Sequence, residues 1–144
     1  MKEQVFTNHR RLVPGYHYVL FLFTVAYIIG AIYYFITKFD LHLSRLTPIL
    51  ILLSAGIFSL TWFYARSFSL KAQDRAIRAE ENLRHFALTG KLLDKKLRLG
   101  QIIALRFASD DEFVALAERA VKEDMSNNDI KKVVKNWRAD NHRV

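Results

Sequence analysis

Few kinds of reactive side chain are present in this 144-residue chain. With no cysteine, thiol catalysis, a disulfide scaffold and iron–sulfur ligation are all excluded. The five histidines, His9, His17, His42, His85 and His142, are scattered. None pairs with another histidine or a carboxylate at zinc-ligand spacing on one rigid face, and Pro14-Gly15 separates His9 from His17. Asp110-Asp111-Glu112 has the density of a catalytic carboxylate cluster. It follows Ser109, however, in the pattern of a capping box, and an acidic first turn suits the helix dipole. No Ser/His/Asp constellation, phosphate loop or dinucleotide fingerprint occurs. These residues predict a non-enzyme with no cofactor and no metal site.

The basic residues are the stronger chemical signal. The net charge is +8, with 22 Lys and Arg against 14 Asp and Glu. Lys131, Lys132, Lys135 and Arg138 fall on one side of an expected helix, a basic interaction face that phosphate groups of nucleic acid or a ribosome could use. That face lacks aromatics for base stacking, apart from Trp137, which the pattern places in a core.

The elements that carry these charges explain most of them. Residues 18–37 and 46–65 contain no Asp, Glu, Lys, Arg or His. About 20 apolar residues at a rise of about 1.5 Å cross a bilayer core of about 30 Å. The mean hydropathy of +0.04 therefore averages two unlike parts. The first run is too long for a signal peptide and ends in Tyr33-Tyr34-Phe35-Ile36 instead of small residues. The short Lys38–Arg45 connection makes the spans an antiparallel hairpin. Of the net charge, +2 precedes the first span, +1 lies in the connection and +5 follows the second span. The positive-inside bias puts both termini in the cytoplasm. Tyr16, Tyr18, Tyr33, Tyr34, Trp62 and Tyr64 fall near the headgroup levels. Lipid offers the two spans no hydrophobic drive to associate, so small residues are expected at their contact: Ala26 and Gly30 against Ala55 and Ser59.

Beyond the second span no turn signal intervenes before Thr89-Gly90, so the helix continues as a cytoplasmic stalk. Ala65, Ser69, Ala72, Ala76, Ala79, Leu83 and Phe86 alternate at spacings of four and three, a heptad seam of mostly small residues. Either it packs on its own domain or it meets a partner or a second copy. Asp74–Arg78, Glu80–Arg84 and Glu81–His85 are i,i+4 pairs of favourable order. Lys91–Arg98 reads as a basic amphipathic helix, able to lie on an anionic membrane or to pack with a basic rim. Gly100 reads as a break. Ser109 and Ser126 each open an amphipathic helix; in the second, Ile130, Val133, Val134 and Trp137 form one stripe. The fold class is thus an all-α membrane protein: an antiparallel two-helix transmembrane hairpin, a second helix running on into a cytoplasmic stalk, and a small helical bundle. The divisions are an N-terminal arm over 1–17, the hairpin over 18–65, the stalk and basic segment over 66–98, and the bundle over 99–144.

Several strings occur together: Asn8-His9-Arg10-Arg11 with Pro14-Gly15-Tyr16-His17, Lys71 to Arg78, Ala104 to Asp110, and Ile130-Lys131-Lys132 leading to Asn136-Trp137-Arg138-Ala139-Asp140. Over nearly its whole length the chain resembles an uncharacterised bacterial family of small two-span inner-membrane proteins, a domain of unknown function. The resemblance implies location and architecture and supplies no catalytic residues. It directs attention to Arg10, Arg11, His17, Gln73, Asp74, Arg75 and Arg78, which such a topology gathers at the cytoplasmic surface as a candidate docking surface. Arg106 and Asp110 read as a local brace across Ser109. The expected function is a non-catalytic accessory or scaffold subunit that binds other membrane-complex subunits or itself. The alternatives are a membrane tether for ribosome or nucleic acid through the basic last helix and, more weakly, a holin-like permeabilising protein.

Overall fold

In a computed structural model the chain is all-α, and residues 4–7, 12–39 and 45–140 are described. A π-helical turn, Gly15–Leu20, leads into α1, Phe21–Lys38. The other helices are α2, Leu46–Thr89; α3, Leu99–Leu105; α4, Asp110–Lys122; and α5, Asn127–Val133. The chain divides into two compact units, one of residues 12–69 and one of residues 1–11 with 70–144.

The first unit is built from apolar helix. Pro14 starts it: proline at a helix start loses an amide that has no intrahelical partner there. Helix then runs through Gly15, so Pro14-Gly15 opens the first apolar helix instead of interrupting the arm. Helical residues Gly15–Lys38 and the apolar part of Leu46–Thr89 are long and apolar enough to cross a membrane. Hydroxyls inside these runs are satisfied by their own helix: Thr24 donates to the Leu20 carbonyl (2.8 Å), Thr37 to Tyr33 (2.9 Å) and Ser59 to Ala55 (2.7 Å). Such back-bonding lets a polar side chain face hydrocarbon without an unmet donor.

Large side chains make the contact between α1 and α2. The Tyr16 ring stacks on Trp62 with centroids 5.6 Å apart, and its hydroxyl donates to the Trp62 carbonyl. Tyr27 meets Phe58 edge-on at 5.7 Å and hydrogen-bonds Ser54 at 2.7 Å. The expected small-residue contact is only half present. Ala55 is buried and Ser59 half-buried, but Ala26 and Gly30 are exposed and Ala31 is buried in their place. Nothing lies within 4 Å of where a Gly30 side chain would begin. Tyrosine and tryptophan hold the two helices by reach and hydrogen bonding, so close backbone approach at Gly30 is not required.

The second unit has a core of the ordinary kind. Ile102, Ala104, Leu105, Ala108, Phe113, Ala117, Ala120 and Ile130 are buried together, with Leu93, Leu97 and Val134. α2 ends where Gly90 takes φ +73°, and its amide closes on the Phe86 carbonyl at 2.7 Å. A side-chain-bearing residue pays about 1–2 kcal/mol for that conformation. Lys91–Arg98 is not a helix. It is an irregular link whose Leu93 and Leu97 are core residues, tied by the Leu93 amide to Asn82 Oδ1 at 3.3 Å. Gly100 does not break the chain either; it lies inside α3. A Cβ there would stand 2.3 Å from Asn127 Nδ2, so glycine is what permits the side chain at the start of α5 to come so close. Gln101 completes the junction. Its buried amide accepts from the Arg98 amide at 2.8 Å and donates to the Met125 carbonyl at 2.9 Å.

The two serine caps differ. Ser126 Oγ accepts from the Asp129 amide at 3.2 Å, as a cap should. Ser109 makes no side-chain cap bond. Glu112, its expected reciprocal partner, instead accepts the amides of Lys135 (3.2 Å) and Asn136 (3.0 Å). Those amides are free because α5 stops at Val133. The chain then runs as a strap beside Ala108, with the Arg138 amide on the Phe107 carbonyl (2.8 Å) and the Ser109 amide on the Asn136 carbonyl (3.1 Å). Trp137 is therefore on the strap, not on a helical stripe. Its ring lies 4.9 Å from that of the fully buried Phe107.

Candidate interaction surface

α2 beyond Leu70 presents two unlike faces. The inward face carries Ile77 and Glu81, both buried, with Arg84 and His85 half-buried. Arg84 is the hub. Its guanidinium pairs with Glu81 (3.0 Å) and Asp110 (2.6 Å), donates to the Ala108 carbonyl (2.8 Å) and lies 4.3 Å above the Phe113 ring. The cation thus meets two carboxylates, a carbonyl and a π-face, which is how a nearly buried guanidinium is compensated. The expected Glu80–Arg84 pair does not form; Arg84 turns to Glu81, three residues back on the buried side. Burial pushes the Glu81 carboxyl above the ordinary carboxylate value, against the opposing pull of Arg84. His85 Nδ1 lies 2.7 Å from the Lys91 carbonyl and pins the link after α2.

A cleft of about 410 Å³ lies beside this face, lined among others by Gln73, Glu81, Arg106, Arg138 and Asp140. Arg106 pairs with Asp140 at 3.2 Å and lies over the Phe107 ring at 4.7 Å. The expected Arg106–Asp110 brace is thus replaced by two longer-range pairs, Arg106–Asp140 and Arg84–Asp110. Both tie segments far apart in sequence, and local spacing carried no trace of either. Among the described residues no group of three histidines, cysteines or carboxylates converges on a metal position.

The outward face of α2 is exposed, and Ala76 and Glu80 at its edge also line the cleft. Ala72, Ala76, Ala79, Leu83 and Phe86 are all exposed, Leu83 by 68% and Phe86 by 50%. Of the two readings of the heptad seam, packing on its own domain is not what occurs; the opposite face does that.

The candidate docking residues fare unevenly. Arg10 and Arg11 lie outside the described residues. His17 belongs to the apolar unit, where Nδ1 accepts from the Val13 amide at 3.0 Å. Gln73 and Asp74 are half-buried, while Arg75 and Arg78 are exposed on α2. The basic face is dispersed by the end of α5. Lys131 lies 5.8 Å from the Phe107 centroid and Lys132 pairs loosely with Asp129 at 4.0 Å. Lys135 and Arg138 sit on the strap, Arg138 beside the cleft. Sequence spacing named Arg84 only as a surface partner of Glu80, and it missed Gln101. Their signal was weak: each is an ordinary polar residue on a helix, singled out only by what folds over it.

These features define a class: an all-α protein in which two helices long and apolar enough to cross a membrane accompany a small helical domain with its own core. The chain belongs to a family of unknown function, DUF6526, whose model matches residues 1–144. No curated protein and no solved structure matches it.

Proposed function

We propose that this chain is a non-catalytic accessory or scaffold subunit of a bacterial inner membrane. Residues 18–37 and 46–65 cross the bilayer as an antiparallel hairpin, both termini are cytoplasmic, and the helical domain presents α2 to another protein. The observation that carries this reading is the outward α2 face. Leu83 and Phe86 are exposed on a helix whose other face is already packed, and exposed apolar side chains in register mark a contact surface. Support for the hairpin comes from the contacts that the π-helical turn and α1 make with α2, which pair Tyr16 with Trp62 and Tyr27 with Ser54, early residues with late ones. The charge bias across the short connection supports the orientation.

Native mass spectrometry after mild-detergent extraction tests the proposal. The expected result is a species heavier than one chain, with a stoichiometric companion. A lone monomer at every protein concentration overturns it.

A further inference from the structure

Resting on that reading, we propose that the occupant of the outward α2 face is a second copy of this chain, joined in a parallel two-stranded coiled coil. The seam Ala72, Ala76, Ala79, Leu83 and Phe86 keeps the four-three alternation of a heptad, and all five side chains are exposed. Alanines at the seam let two backbones approach closely; Leu83 and Phe86 supply apolar area at its far end.

The flanking charges select both partner and direction. At about 100° per residue, Arg75 and Glu80 stand on opposite sides of the seam, each about 70° from its centre. They are five residues apart, the g position of one heptad and the e position of the next. In a parallel coil a g side chain faces the partner's following e side chain, so Arg75 of one copy meets Glu80 of the other, and symmetry repeats the pair. An antiparallel arrangement sets g positions beside g and e beside e, so Arg75 never meets Glu80. Among the described residues neither Arg75 nor Glu80 forms an ion pair within its own chain, although Glu80 shares the lining of the cleft with Arg106 and Arg138. The pattern is thus complementary to itself and only in the parallel sense. Two copies with the same membrane orientation necessarily offer their α2 helices in parallel, and confinement to one bilayer raises their effective concentration.

The chain has no cysteine, so single substitutions report cleanly. The full chain is expressed in membranes as Ala72→Cys or Arg78→Cys and treated with a mild oxidant. Ala72→Cys gives a disulfide-linked dimer, because only a parallel register brings position 72 to its own copy; Arg78→Cys, off the seam, gives little. On the Ala72→Cys background, Arg75→Glu or Glu80→Arg lowers the dimer fraction roughly tenfold. Both reversals together restore it. A failure of Ala72→Cys to link to itself, or of the double reversal to restore linking, overturns the proposal. If dimer is absent but native mass spectrometry still finds a companion of different mass, the second-copy inference falls and the scaffold reading stands. If the protein is also a monomer at all concentrations, both fall.

Discussion

The two units are both helical and both rich in apolar side chains, yet they dispose of them in opposite ways. In residues 12–69 the large side chains point outward: Phe23 is 65% exposed and Ile36 72%, and among the described residues Ala31, Pro48 and Ala55 are the buried exceptions. Between residues 70 and 140 the largest of them form a core, with Phe107, Phe113, Leu105 and Ile130 fully buried, while Leu83 and Phe86 on α2 stay exposed. A helix buries its apolar surface wherever its solvent is water. Apolar surface left outside along about 20 residues implies a solvent that is itself apolar. On the proposed membrane reading two solvents shape one chain, and each substitution should have a cost set by the unit it falls in.

The sharpest contrast is between phenylalanines. Phe113→Ala should destabilise the helical domain by about 3–5 kcal/mol through lost burial and the cavity left behind. Phe23→Ala should change its stability by less than about 0.5 kcal/mol. Denaturant unfolding in detergent micelles, followed by far-ultraviolet circular dichroism, compares them, and equal costs would break the distinction. Arg84→Ala comes next, at about 3 kcal/mol, since it strands the buried Glu81 and removes the link to Ala108 and Asp110. An exposed arginine such as Arg75 should cost almost nothing to the isolated fold. Ser126→Ala should cost about 1 kcal/mol by removing a cap. Ser109→Ala should be neutral or slightly stabilising, because the buried Ser109 hydroxyl has no hydrogen-bond partner among the described residues. The smallest effect concerns pH. The folded Glu81 carboxyl titrates above its unfolded value, so its contribution is full below the unfolded pKa and is lost as pH rises through the folded one. Glu81→Gln, which keeps an acceptor for Arg84, should flatten that part of the stability–pH curve.

Local signals were legible and competitive ones were not. The apolar runs, the helix end at Gly90 and the Ser126 cap each depend on residues adjacent in sequence, and each lies where spacing put it. The Ser109 capping box failed because Glu112 found two amides 23 and 24 residues away. Those amides exist only because α5 ends early and the Trp137 ring packs against Phe107. For the same reason the basic stripe of Lys131, Lys132, Lys135 and Arg138 does not lie on one helix. Lys91–Arg98 has amphipathic composition, but two leucines anchored in the core hold it as an irregular link. The small-residue contact in the first span was displaced by tyrosine hydroxyls, which composition alone does not rank above glycine.

The proposed membrane reading puts lipid around one unit and water around the other, and the chain carries a natural probe in each: its two tryptophans, Trp62 and Trp137. Trp137→Phe leaves Trp62 as the sole indole, and Trp62→Phe leaves Trp137. Each variant is reconstituted into vesicles whose acyl chains are brominated near the headgroup, and its fluorescence is compared with that in unbrominated lipid. Strong quenching of Trp62 and little or none of Trp137 is expected. Equal quenching of the two, or none of Trp62, would contradict it.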